Sequence, residues 1–173
     1  MDCPITLIKI KNMAFLKKLN TQLIDFIQQQ QLYFVATAAQ DGRINLSPKG
    51  LDSLRILDKD HILWLNLTGS GNETAAHLIE QNRMTMMFCS FGEQPLILRL
   101  YGRADTYHHR DPEWAAYIEH FDNLEGARNL FLLHIESVQT SCGYGVPKFD
   151  FTQERAQLSK SINQKGEEGI KRY

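Results

Sequence analysis

The stretch Gly69-Ser70-Gly71-Asn72-Glu73-Thr74 gathers glycines, hydroxyls and an amide just ahead of Ala75, Leu78 and Ile79, an apolar stripe at helical spacing. Glycine tolerates the left-handed backbone of a tight turn. A helix start leaves several N–H groups unpaired, and the helix dipole makes them attractive to an anion. Ser70, Asn72 and Thr74 add side-chain donors beside those amides. Such a set can hold a phosphate. It can equally cap a helix after a plain turn, and on these residues alone both readings stay open. Two better-known phosphate motifs fit poorly: the dinucleotide fingerprint stays a minor alternative and the P-loop pattern fails. The dinucleotide fingerprint needs a third glycine and an acid about twenty residues on, where this chain has Cys89, Ser90 and then Glu93 in a turn. A P-loop needs Gly-Lys-Ser/Thr, which is absent.

A second chemical pattern is Arg43-Ile-Asn-Leu-Ser-Pro-Lys-Gly50. On a strand, Asn45, Ser47 and Lys49 share one face and form a row of hydrogen-bonding groups. The plain alternative is a solvent-facing edge strand. Cys142 lies in a glycine-rich loop after a strand carrying His134, a conceivable thiol nucleophile with no base placed beside it by spacing. Cys89 sits in an apolar run and reads as core. The six histidines show no metal-ligand spacing and read as satisfied or solvated.

The elements that must position these groups follow from periodicity. Phe15, Leu19, Leu23, Phe26 and Ile27 fall on one helical face, predicting an amphipathic helix over about 13–30. Leu32 to Ala39 is almost wholly apolar, as a strand buried on both faces would be. Asp41-Gly42 is a hairpin signal that returns the chain antiparallel through Ile44–Ser47, and Pro48 ends that strand or puts it at a sheet edge. A strand fragment is expected around Leu54–Leu57. Ile62–Leu67 and Arg83–Phe91 are apolar strands flanking the glycine turn and its short helix. Leu96, Leu98 and Leu100 alternate with Ile97, Arg99 and Tyr101, giving a strand that runs to about Tyr107. Asp111-Pro112 opens a helix striped by Trp114, Tyr117, Ile118 and Phe121. After a loop at Asn123–Asn129, Phe131, Leu133 and Ile135 mark a last strand, and a polar helix with a frayed tail follows Asp150. About six strands joined mainly by hairpins, with three or four helices, favour a small antiparallel barrel with helices outside it over a doubly wound sheet.

The 173 residues suit one domain with a single core. A net charge of -1 argues against a nucleic-acid platform or an anionic membrane as the main partner, so any phosphate site must be local. Three scattered cysteines without metal-ligand spacing fit a reduced compartment. Lys9, Lys11, Lys17 and Lys18 interrupt the apolar N-terminus, so no leader or membrane span is expected and the expected location is cytoplasmic.

In order and spacing, four segments resemble the pyridoxamine 5'-phosphate oxidase-related family of FMN-binding split barrels over roughly residues 30–150. They are the hairpin leading into Asn45-Leu-Ser-Pro-Lys49, and Trp64-Leu-Asn-Leu-Thr-Gly-Ser-Gly-Asn-Glu-Thr74 with the helix and strand behind it. The others are Leu98-Arg-Leu-Tyr-Gly-Arg-Ala104 followed by Asp111-Pro-Glu-Trp114, and the late strand ending in Cys142-Gly-Tyr-Gly-Val-Pro147. The resemblance implies an α+β, mainly β fold: a six-stranded antiparallel split β-barrel with peripheral helices, as a single domain over 1–173. Its parts would be an N-terminal helix (about 13–30), a barrel (about 32–141) and a C-terminal polar helix and tail (about 150–173).

The resemblance further implies FMN at a homodimer interface. Asn45, Ser47 and Lys49 would line the flavin ring, with Lys49 stabilising negative charge on it. Ser70, Gly71, Asn72 and Thr74 would hold the phosphate, Asn66 belongs to the same cofactor-binding segment, and Arg99 or Arg103 would balance the phosphate charge. Glu73 is tolerable there only if turned outward. Pyridoxamine phosphate oxidases themselves carry an Arg-Lys pair at the phosphate turn and a C-terminal Arg-x-His; this chain has Asn72-Glu73-Thr74 and a polar helix instead. The expected function is therefore a flavin oxidoreductase acting on a different small molecule, with a nicotinamide as one possible electron donor. The alternatives are a binding module that stores or senses flavin, haem or deazaflavin without turnover, and an enzyme built on Cys142. Catalytic residues are not assigned by any of these patterns.

Overall fold

The structure, a computed structural model, describes residues 14–69, 73–122 and 125–172, with 167, 168 and 170–172 described by backbone alone. Chain order is β1 (Ala14–Leu16), α1 (Thr21–Gln28), β2 (Tyr33–Thr37), β3 (Asn45–Lys49), β4 (Leu54–Ile56) and β5 (His61–Leu67). There follow α2 (Glu73–Glu80), β6 (Met84–Cys89), β7 (Ile97–His108), α3 (Trp114–Ile118), β8 (Ala127–Ser141) and α4 (Gln157–Arg172). All strand pairings are antiparallel, in the order β3-β2-β6-β7-β8-β5-β4, with β1 added on β8. No helix among the described residues is long and apolar enough to cross a membrane.

The sheet curls until its two ends face each other. Tyr33 on β2 shares a 2.9 Å hydrogen bond with Ser53, just before β4. Lys49 on β3 lies over the Trp64 ring of β5, 5.1 Å from its centroid. The result is a split barrel with eight strands among the described residues, two more than the sequence predicts. The additions are three-residue strands: β4, foreseen as a fragment, and β1, which occupies the start of the predicted 13–30 helix. That helix begins only at Thr21, because the Asn20 side chain accepts from Leu23 N–H and caps it there. Ala14–Leu16 instead completes the ladder on Val138–Thr140.

Period-two alternation separates two apolar clusters. Val35, Met86, Phe88, Leu98, Leu100, Phe131, Leu133, Trp64 and their neighbours fill the barrel, closed by Leu23, Phe26 and Ile27 of α1 and Leu78 of α2. Leu63, Leu65, Leu130 and Leu132 point outward, where Trp114, Tyr117 and Ile118 of α3 cover them with Phe121. α3 is shorter than its stripe suggests. Asp111 is spent on a turn, accepting from His108 N–H through its carboxylate, and so does not cap the helix.

β7 and β8 shift register between Tyr101 and Gly102, where a Cβ would overlap the carbonyl oxygen of His134. Only glycine fits there. α4 is interrupted at Gly166 (φ 63°). Its Ile162 is buried against Thr68 and Gly126, at the barrel end where β5 leads toward α2.

Candidate functional site

β3 forms one edge of the sheet, a position that tolerates Pro48 without a lost ladder hydrogen bond. Its register with β2 pairs Asn45 with Thr37, Ser47 with Val35 and Lys49 with Tyr33. Those β2 residues face the barrel interior, so Asn45, Ser47 and Lys49 face inward too, while Leu46 and Pro48 face out. The polar row predicted from period two is therefore present, and it lies on the same side as the core rather than on solvent. Asp41-Gly42 does turn the chain (Gly42 φ 96°), although the connection runs over 38–44 and is wider than a two-residue hairpin.

Along this row the hydrogen bonds connect. Ser47 Oγ donates to Asn45 Oδ1 at 2.8 Å, and Asn45 Nδ2 donates to Thr74 Oγ1 at 3.2 Å. Thr74, in the first turn of α2, is 5% exposed. Thus β3 and the start of α2, 29 residues apart in sequence, are tied by one polar chain. Lys49 ends the row over Trp64, which is itself stacked on Phe131 at 4.8 Å. Burial pushes the Lys49 ammonium below its ordinary range, and the negative charge of Glu73 works against that shift. Glu73 itself is exposed and lies at the rim of the same cleft as Asn45.

Asn66 follows Trp64 on the inner face, but its Nδ2 donates to Asn129 Oδ1 at 2.8 Å, and both residues are buried. It braces the end of β5 against β8. Ser70, Gly71 and Asn72 lie outside the described residues. Arg99 and Arg103 are not brought to this group within the chain. Both point to the outer face, where Arg99 donates to Ser141 Oγ at 3.0 Å and Arg103 pairs with Glu136 at 3.1 Å.

Sequence reasoning overlooked two neighbours. His77 lies one helical turn beyond Thr74, and its Nδ1 shares a 3.1 Å hydrogen bond with the buried Thr37 hydroxyl. Together with Asp41, Arg43, Asn45 and Glu73 it lines an open cleft of about 530 Å³, within the range of small-ligand sites. The i, i+3 spacing of Thr74 and His77 was the available signal.

The thiol reading finds no geometric support. Cys142 is exposed beyond the end of β8, whereas His134 lies near its middle, more than about 20 Å away at ~3.3 Å per residue. His134 bonds instead to Asp105 at 2.8 Å and meets His61 edge-on. Cys89 is buried at the end of β6, as expected. Among the described residues no three His, Cys, Asp or Glu side chains form a group that could hold a metal.

Comparison with known proteins agrees with this architecture. The family model for pyridoxamine 5'-phosphate oxidase matches residues 19–142. A curated relative, the pyridoxamine 5'-phosphate oxidase family protein UstO of Aspergillus flavus, is 42% identical over 143 residues, 80% of this chain. The chain spans 57% of that relative's length. A putative pyridoxamine 5'-phosphate oxidase from Lactobacillus delbrueckii superposes with a TM-score of 0.58 at 18% identity, covering 74% of this chain and 98% of that one. An FMN-binding protein from Syntrophomonas wolfei superposes at 0.51 and 13% identity, covering 66% and 80%. At such identities the superpositions speak for the fold alone. The matched span covers both the split barrel and the polar row of β3, and the chain belongs to the pyridoxamine 5'-phosphate oxidase family.

Proposed function

We propose that this chain binds FMN as a homodimer and serves as a flavin-dependent oxidoreductase for a small molecule other than pyridoxamine phosphate. The observation that carries the reading is the inward row Asn45–Ser47–Lys49 joined through Asn45 to Thr74 at the start of α2. Its donor set suits an isoalloxazine edge: an amide and a hydroxyl for ring heteroatoms, and one desolvated ammonium for negative charge. Thr74, with the turn that precedes it in sequence, suits a phosphate. Bound FMN would supply electron transfer that no side chain can perform. The chain's own residues would do the rest. Asn45 and Ser47 would orient the ring, Lys49 would favour negative charge beside it, and the Trp64–Phe131 stack would keep water from its inner side.

The family membership and the FMN-binding protein among the structural neighbours support the flavin, and the outer face of the sheet supports a second copy. Across that face the register aligns Pro48, Phe34, Met87, Arg99, Gln139 and Phe15 in one row. Phe15 is 62% exposed and Leu46, on the same face, 61%. A second copy would cover these groups and receive Arg99 at its surface.

The test is a fluorescence-quenching titration with FMN of the wild type and of Asn45→Ala. Quenching by the wild type at low micromolar FMN, with affinity about tenfold weaker in the variant, is expected from the loss of one half-buried hydrogen-bonding amide. Absence of quenching by the wild type, or equal affinity of the two proteins, contradicts the assignment.

A further inference from the structure

We propose that His77, in its imidazolium form, is the cation that meets the phosphate end of the bound ligand, the part that Arg99 and Arg103 do not fill from within the chain. The inference rests on the flavin reading above and goes beyond it in naming the charge partner and making the grip depend on pH.

Three observations converge on His77. It stands one turn after Thr74 on the same helix, so its side chain follows the one bonded to Asn45. Its Nδ1 is held by the Thr37 hydroxyl, which is 3% exposed, so the ring is fixed in orientation and Nε2 is the nitrogen left for a ligand. It also lines the same cleft as Asn45, Arg43, Asp41 and Glu73.

The charges around the ring decide its role. Asp41 and Arg43 face the cleft from the 38–44 connection, and Glu73 faces it from α2. Glu80 lies farther along α2, exposed, and Lys49 on β3 acts on Glu73 from the row below. β2 meets His77 with Thr37, which is uncharged, and Arg103 on β7 is turned away to Glu136. With a neutral imidazole the cleft carries one more negative than positive charge and repels a phosphate. Protonating His77 removes that excess and adds a charge-assisted donor. The grip is therefore strong where the imidazole is protonated and fades where it is neutral.

The experiment compares dissociation constants of FMN and riboflavin at pH 5.5 and 8.5 for the wild type, His77→Gln and His77→Arg, each checked for an unchanged thermal midpoint without ligand. Riboflavin shares the ring and lacks the phosphate. The ionisation of free FMN near pH 6 is common to all three titrations, so the ratio of variant to wild type reports what residue 77 adds. We expect His77→Gln to weaken FMN about tenfold at pH 5.5 and less than about twofold at pH 8.5, with riboflavin unchanged. His77→Arg should hold FMN at both pH values. Equal FMN affinity of wild type and His77→Gln at pH 5.5, or an equal loss for riboflavin, overturns the inference while leaving the flavin reading intact. Failure of the wild type to bind either flavin removes both.

Discussion

Burial disfavours the Lys49 ammonium in the fold, and Glu73 only partly offsets the cost. Because its folded pKa is depressed below the unfolded value of 10.5, the penalty is present while the lysine is charged in both states. It is relieved as pH rises from the lowered value toward 10.5. Replacing Lys49 by Met keeps the stem over Trp64 and removes the charge. We expect the thermal midpoint of Lys49→Met near pH 7 to equal or exceed that of the wild type, while FMN affinity falls; a clear drop in the midpoint would count against the desolvation account. The row itself was legible, since alternation alone puts Asn45, Ser47 and Lys49 on one face. Alternation likewise showed Arg99 opposite Leu98 and Leu100, but not which side of the sheet carries the site. His77 was signalled only by its i, i+3 spacing from Thr74, because its partner Thr37 is 40 residues away and only the packing of α2 on β2 brings them together.

Elements are pinned at glycines where backbones or side chains crowd. At Gly102 the obstacle is the His134 carbonyl, which cannot move without breaking the β7–β8 ladder. Gly102→Ala should therefore cost about 3 kcal/mol or more, measured by urea unfolding. Gly126 is a softer case. Its φ of 80° penalises alanine by about 1–2 kcal/mol, and a Cβ would also lie 2.5 Å from Ile162 Cδ1. Trimming Ile162 to Ala in the Gly126→Ala background should recover the overlap and leave the backbone penalty, a non-additivity visible in a double-mutant cycle. Equal additive losses would mean that α4 does not bear on Gly126. The elements β5, β6, β7 and α2 were readable from periodicity and turn residues, as was β8 apart from its start, where the strand begins at Ala127 within the expected 123–129 loop. β1 was not, because Phe15 and Leu19 fit a helical stripe as well as a strand and its approach; the Asn20 cap and the open edge of β8 decide between them.

At the scale of the molecule, the curl of the sheet makes the site. It brings β3 over β5 and sets α2 at the barrel end, which no local pattern specifies. The same curl leaves the outer face of β3, β2 and β6 without a covering helix among the described residues, with Leu46 exposed on it and Phe15 of β1 exposed farther along the same side of the sheet. We expect the wild type to sediment as a dimer and Leu46→Glu to shift it toward monomer with weaker FMN retention; a monomeric wild type that still binds FMN would contradict the shared-interface account. The central claim is that the row on β3 and the start of α2 form a flavin site. It is tested most directly by the visible absorption spectrum of the purified protein, before and after denaturation, with FMN added if the protein emerges colourless. The account predicts two flavin bands in the folded protein and intact FMN in the supernatant after denaturation. A protein that is colourless as purified and takes up no added FMN would contradict it.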